Sequence, residues 1–203
     1  AARDPASPGC DASSATRAVG AAARDPAVPG CDASSSGREH PWPECSLTRE
    51  HALLALDAQM TSRHLDFAAR TLRKSLQSFY TIGSSGHEGN AAVALVTRTS
   101  DPAFLHYRSG AFFLTRALLA GDERAHLDVL LGIVASRDEP IAGGRHKVFG
   151  SKKLGVWPQT STIASHLPKA VGMAFALERK RRLRLGAVDA GTLVVCSFGD
   201  GSA

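Results

Sequence analysis

Three short segments carry side chains suited to holding a phosphate-bearing cofactor and a hard cation. Gly199-Asp200-Gly201 follows an apolar run, Thr192 to Phe198, and sets a carboxylate between two glycines. A carboxylate suits a hard cation, and glycines let the backbone approach a phosphate closely. The plainer alternative is an Asp-Gly turn. Upstream, His106-Tyr107-Arg108 offers a guanidinium able to grip phosphate through two donors and a phenol that can donate beside it. The alternative is an arginine paired with a surface carboxylate. Third, the stretch from Pro158 to Pro168 puts Ser161 and Thr162 at the expected start of a helix, whose free amides and dipole favour anions. Both hydroxyls also serve as ordinary caps. His146, in a loop rich in glycine and basic residues, offers acid–base chemistry or is simply exposed.

The elements that must position these residues follow from periodicity. Leu53, Leu56, Met60, Phe67, Leu72, Leu76 and Phe79 recur at roughly helical spacing and predict one long helix or two, capped at Thr48. The glycines of residues 82–89 break the pattern, and a helix follows from Glu88 to Val96. An extended segment brings His106 to Arg108 into a helix from Ser109 to Ala120, stopped at Gly121. Helices are expected from Glu123 to Ala135 and from Thr162 to Lys180, with a loop from Ile141 to Gln159 between them. A turn near Gly186 then leads to a buried-type strand, Thr192 to Phe198. Helices alternating with strand predict an α/β domain, with ligands at the carboxyl ends of its strands.

Residues 1–14 and 22–35 repeat one segment, AARDPAxPGCDASS, too poor in large apolar residues to build a core. Residues 1–45 therefore read as a disordered tail, and residues 48–203 as the folded domain. The net charge of +5 gathers at Arg179, Lys180, Arg181, Arg182 and Arg184, where cations suit a helix carboxyl end. Stacking aromatics do not interleave with these charges, so nucleic-acid binding is not expected. No apolar run reaches the roughly 18 residues that span a bilayer, and no membrane segment is expected. Four scattered cysteines favour a reducing cytoplasm.

Taken in order, SSGHEGNAAV at 84–93, HYRSGAFF at 106–113, GGRHKVFGSKKLGVWPQTSTIASHLPKAVGMA at 143–174 and FGDG at 198–201 resemble one family. That family is the alpha subunit, or alpha half of a fused chain, of the thiamine-diphosphate-dependent, decarboxylating component of 2-oxo acid dehydrogenases. The resemblance implies a partial thiamine-diphosphate-binding fold, a parallel sheet flanked by helices. It further implies that Tyr107 and Arg108 contact the diphosphate of thiamine diphosphate and that Asp200 binds Mg2+. Gly199, Gly201 and Ser202 would line the phosphates, while Ser161 and Ile163 would touch the aminopyrimidine. His146 falls near a region that carries an active-site histidine. The implied reaction is oxidative decarboxylation of a 2-oxo acid, a branched-chain one among the candidates, with acyl transfer to a lipoyl group. Its partners would be a beta subunit or beta region, which supplies a glutamate, and a lipoyl-bearing acyltransferase. In the family the metal motif runs on to an Asn beyond Gly-Asp-Gly. The expectation is therefore a fragment of the enzyme, the alternative being a non-catalytic remnant or a subunit-association piece.

Overall fold

The computed structural model describes residues 47–79, 81–189 and 191–202, which lie in one compact unit, Cys45–Ala203. The expected tail at residues 1–45 lies outside the described residues. Helix α1 runs Arg49–Lys74, α2 Asn90–Val96, α3 Gly110–Leu119, α4 Ala125–Ile133 and α5 Leu167–Arg182. Between them lie β1 (Ala103–Phe104), β2 (Val156–Trp157) and β3 (Val195–Cys196), followed by a single 3-10 turn at Asp200–Ser202. The strands form a parallel sheet in the order β2-β1-β3, pairing Ala103 with both Val156 and Val195. The mixed α/β class with a small parallel sheet is as expected.

The sheet is shorter than its sequence pattern. The apolar run 192–198 contributes only Val195 and Cys196 to pairing, and β2 sits inside the expected loop. The backbone rather than the side-chain pattern limits it. Pro102 O accepts from Val195 N at 2.8 Å and Phe104 O from Ser197 N at 3.1 Å, after which both chains leave the ladder.

Helix α1 begins as predicted, with the Thr48 hydroxyl accepting from His51 N at 3.3 Å. Ala58, Ser62 and Ala69 face inward, while Leu53, Leu56, Met60 and Phe67 are each about half exposed. The reason is the close approach of α3, whose first residue is Gly110: a Cβ there would stand 2.6 Å from Ser62 Oγ. At this crossing point a side chain at 110 would collide with the one at 62.

Four helices end in the same closure, a left-handed residue with paired return hydrogen bonds. Gly121 serves α3 as predicted, but Leu76, Ala135 and Arg184 adopt positive φ for α1, α4 and α5. The core beneath α2, α3 and α4 comprises Ala94, Ala103, Leu105, Phe112, Phe113, Ala117, Ala125, Leu154 and Val156. Helix α5 packs on β1 and β3.

At the amino end of the sheet, a fully buried Arg116 donates from Nη1 to Asp101 O and Leu154 O, both at 2.9 Å. Asp101 meanwhile accepts from Arg98 N at 2.9 Å and Leu193 N at 3.0 Å, tying the starts of β1 and β3 together. Burial opposes its ionisation, but the Arg98 side chain and these amides outweigh burial and lower its pKa. The basic carboxyl end of α5 is solvated, with Glu178 paired to Arg181 at 2.6 Å and Arg182 at 2.7 Å. Among the described residues, no helix is long and apolar enough to cross a membrane.

Candidate functional site

The chain passes from β1 to β2 on one side of the sheet and crosses back to β3 on the other. The carboxyl ends of β1 and β3 therefore flank the point where strand order reverses, the position where open α/β sheets bind ligands. His106-Tyr107-Arg108 leaves β1 there, and Gly199-Asp200-Gly201 leaves β3. Ser197 holds the two exits together. Its Oγ accepts from His106 N at 2.9 Å and lies 2.9 Å from Ser109 Oγ, which accepts from Asn90 Nδ2 at 3.1 Å. Its carbonyl accepts from His166 Nε2 at 2.8 Å.

A cavity of about 70 Å³ opens beside the β1 exit, between it, α1, α3, α4 and the 146–149 segment, and residues 197–202 do not line it. Leu65, Leu114, Val129 and Phe149 contribute to its apolar wall, and Tyr107, Arg108, His146 and Lys147 to its polar side. Arg108 is held in place: Nη1 donates to Gly83 O at 2.6 Å, and the guanidinium carbon lies 5.4 Å from the Tyr107 ring centre. The loop carrying Gly83 is fixed by Asp66, whose Oδ2 accepts from Ser84 N and Ser84 Oγ at 2.9 Å each and from Arg63 at 3.0 Å.

On the same polar side, His146 Nε2 lies 2.8 Å from Ser161 Oγ. The loop bearing His146 folds around the buried Glu139, which accepts from Ile141 N at 3.2 Å and Ala142 N at 2.5 Å and pairs with Lys147 at 3.0 Å. Burial raises the pKa of this carboxyl, but the Ala142 amide, Lys147 and the Ile141 amide together bring it below its usual range.

The structure thus brings Tyr107, Arg108, His146 and Ser161 together. Ser161 does not sit at a helix start, as the sequence suggested. Helix α5 begins at Leu167, because Ala164 takes a left-handed conformation (φ 62°) and residues 162–165 form a turn closed by Ser165 N on Thr162 O at 3.2 Å. Ile163 points outward, 58% exposed. Asp200 and Gly201 are exposed and Ser202 is partly buried, the turn being closed by Ser202 N on Gly199 O at 3.0 Å. No group of three His, Cys, Asp or Glu side chains that could hold a metal occurs among the described residues, so Asp200 offers a single carboxylate.

Sequence reasoning missed the convergence of His87, His106 and His166. The His106 ring stacks on His87 with centres 4.9 Å apart and meets Tyr107 at 3.8 Å. Burial, then the neighbouring His87, His166 and Arg108, push its pKa down to about 4. Nearly twenty and sixty residues separate these histidines along the chain, so no motif spacing marks them. No protein-family model matches this chain.

Proposed function

We propose that this chain is the cofactor-binding part of the alpha region of a thiamine-diphosphate-dependent 2-oxo acid dehydrogenase, the component that decarboxylates the oxo acid and passes its acyl group to a lipoyl arm. The observation that carries the reading is the convergence of Tyr107, Arg108 and His146 on one cavity, with Ser161 bonded to His146, while the Gly-Asp-Gly turn leaves the neighbouring strand β3.

The residues fit the cofactor's diphosphate. Arg108 spends Nη1 on Gly83 O, and its remaining donors serve a phosphate alongside the Tyr107 hydroxyl. A Cβ at Gly201 would meet nothing within 4 Å, so the backbone there is open to close approach. Asp200 would bind Mg2+ through one carboxylate, the other ligands being phosphate oxygens and water. Bound there, thiamine diphosphate supplies the carbon nucleophile that permits loss of carbon dioxide from a 2-oxo acid. The chain's own residues orient the diphosphate, and His146 stands ready to exchange a proton with a reacting group across the cavity. The apolar wall suits an aliphatic acyl side chain, a branched one included. A beta region would contribute the glutamate, and a lipoyl-bearing acyltransferase would accept the acyl group.

Calorimetric titration of the full chain with thiamine diphosphate and Mg2+ tests the reading. Micromolar binding, abolished by Asp200→Asn and weakened by Arg108→Ala, is the expected result. Absence of binding at millimolar cofactor would instead favour a second reading, a non-catalytic subunit-association piece. That reading has its own support in the exposed Leu53, Leu56, Met60 and Phe67 of α1 and the exposed Val171 and Phe175 of α5.

A further inference from the structure

His106 is the least exposed member of His106-Tyr107-Arg108, 4% accessible, and its ring stacks on His87 and meets Tyr107 at a tilt. Its Nδ1 accepts the Arg108 backbone N–H at 3.4 Å. A neutral imidazole has one donor and one acceptor, so this bond assigns the proton to Nε2. That Nε2–H faces Gly199: a Cβ built on Gly199 would lie 3.4 Å from Nε2 and 3.5 Å from Cε1. The first atom of any side chain at 199 thus lands against the imidazole edge, and glycine leaves that edge uncovered. Gly199 does not adopt positive φ, so its backbone conformation alone does not require glycine.

We propose that His106 is a further anion-binding residue of this chain, donating from Nε2 across the open flank of Gly199 to a phosphate on the Gly-Asp-Gly turn, next in the chain to the phosphate donors Tyr107 and Arg108. This rests on the diphosphate reading above. It adds a neutral donor that fixes the phosphate's position without adding charge. The tautomer is set by the same turn that carries Arg108, so the two donors are placed as one rigid unit. The rings of His87, His106 and Tyr107 and the guanidinium of Arg108 form a continuous stack, with separations of 4.9, 3.8 and 5.4 Å, that resists reorientation of any one member.

The test uses the full chain with thiamine diphosphate and Mg2+, and inorganic pyrophosphate as a second probe. His106→Phe retains a ring for stacking and removes both nitrogens, whereas His106→Gln restores an N–H near the position of Nε2. Gly199→Ala leaves His106 intact and covers its edge. His106→Phe and Gly199→Ala should each weaken binding about tenfold or more, as loss of a hydrogen bond to a charged acceptor does, with His106→Gln recovering most of it. In nitrogen-15 spectra, the His106 Nε2 resonance should report the Nε2–H form and shift on adding pyrophosphate. If His106→Phe does not fold, Gly199→Ala and the nitrogen-15 shift carry the test. Wild-type affinity in Gly199→Ala, or an unmoved Nε2 resonance on a chain that binds cofactor, overturns the role of His106 and leaves the diphosphate reading standing. A wild-type chain that binds neither probe overturns both.

Discussion

Lowering the pH should destabilise the fold through His106 in a way that a single substitution isolates. The imidazole is 4% exposed, and its pKa falls to about 4 through burial and then the charges of His87, His166 and Arg108. An unfolded histidine titrates near about 6.5. Because the folded value is the lower one, folding favours the neutral ring. The unfolded chain binds the extra proton as pH falls, so the contribution of His106 is intact above about pH 6.5 and is lost on descent towards about pH 4. The gap corresponds to about 3 kcal/mol, at roughly 1.4 kcal/mol for each unit of pKa. Urea unfolding should be followed at several pH values between about 7.5 and 4.5 for the wild type and for His106→Gln, which cannot titrate. The wild type should lose about 2–3 kcal/mol more than the variant across that interval. Parallel loss in both proteins would mean that His106 is not held neutral by the fold, and the burial argument would be wrong.

Three other perturbations have definite signs. Arg116→Met should cost about 3 kcal/mol in urea unfolding, because the buried carbonyls of Asp101 and Leu154 lose their donors; wild-type stability would show that the guanidinium is dispensable. Asp66→Ala should release the 83–88 loop at a cost of about 2 kcal/mol and speed hydrogen exchange at the Ser84 amide; unchanged exchange there would refute the pinning. Leu76→Gly should raise the unfolding midpoint, by about 0.5–1 kcal/mol of stability, because Leu76 is 82% exposed and holds φ 59° against its side chain; a lower midpoint would place the Leu76 side chain in a stabilising contact.

Element types were legible wherever local chemistry decides them. Thr48 starts α1 and Gly121 stops α3 because a hydroxyl cap and a glycine terminus act over a few neighbouring atoms. The glycines of residues 82–89 do lie between α1 and α2, but α1 ends earlier than expected, at Lys74, closed by the left-handed Leu76. Helix α5 was misplaced at its start because nothing in the 162–166 sequence announces a left-handed alanine. That conformation is strained for alanine and is kept by the turn and packing around it. Which face of α1 turns inward was not legible from its apolar spacing, because the close approach of α3 at Gly110 and Ser62 sets it.

By itself, then, the sequence determined the mixed α/β class, most helix ends, and the chemical types assembled at 106–108, 146, 161 and 199–202, but not β2, which lies inside the expected loop. What it determined depends on interactions within a turn or two of chain. Only the tertiary structure decided that Tyr107, Arg108 and His146 share a cavity, that Ser161 reaches His146, and that His106 faces Gly199 with its Nδ1 already engaged. The approach of His106 to Gly199 depends on parallel pairing of β1 with β3, and the cavity on the loops fixed by Asp66 and Glu139. Such contacts join residues far apart in the chain, and their geometry is set by packing that no local pattern encodes.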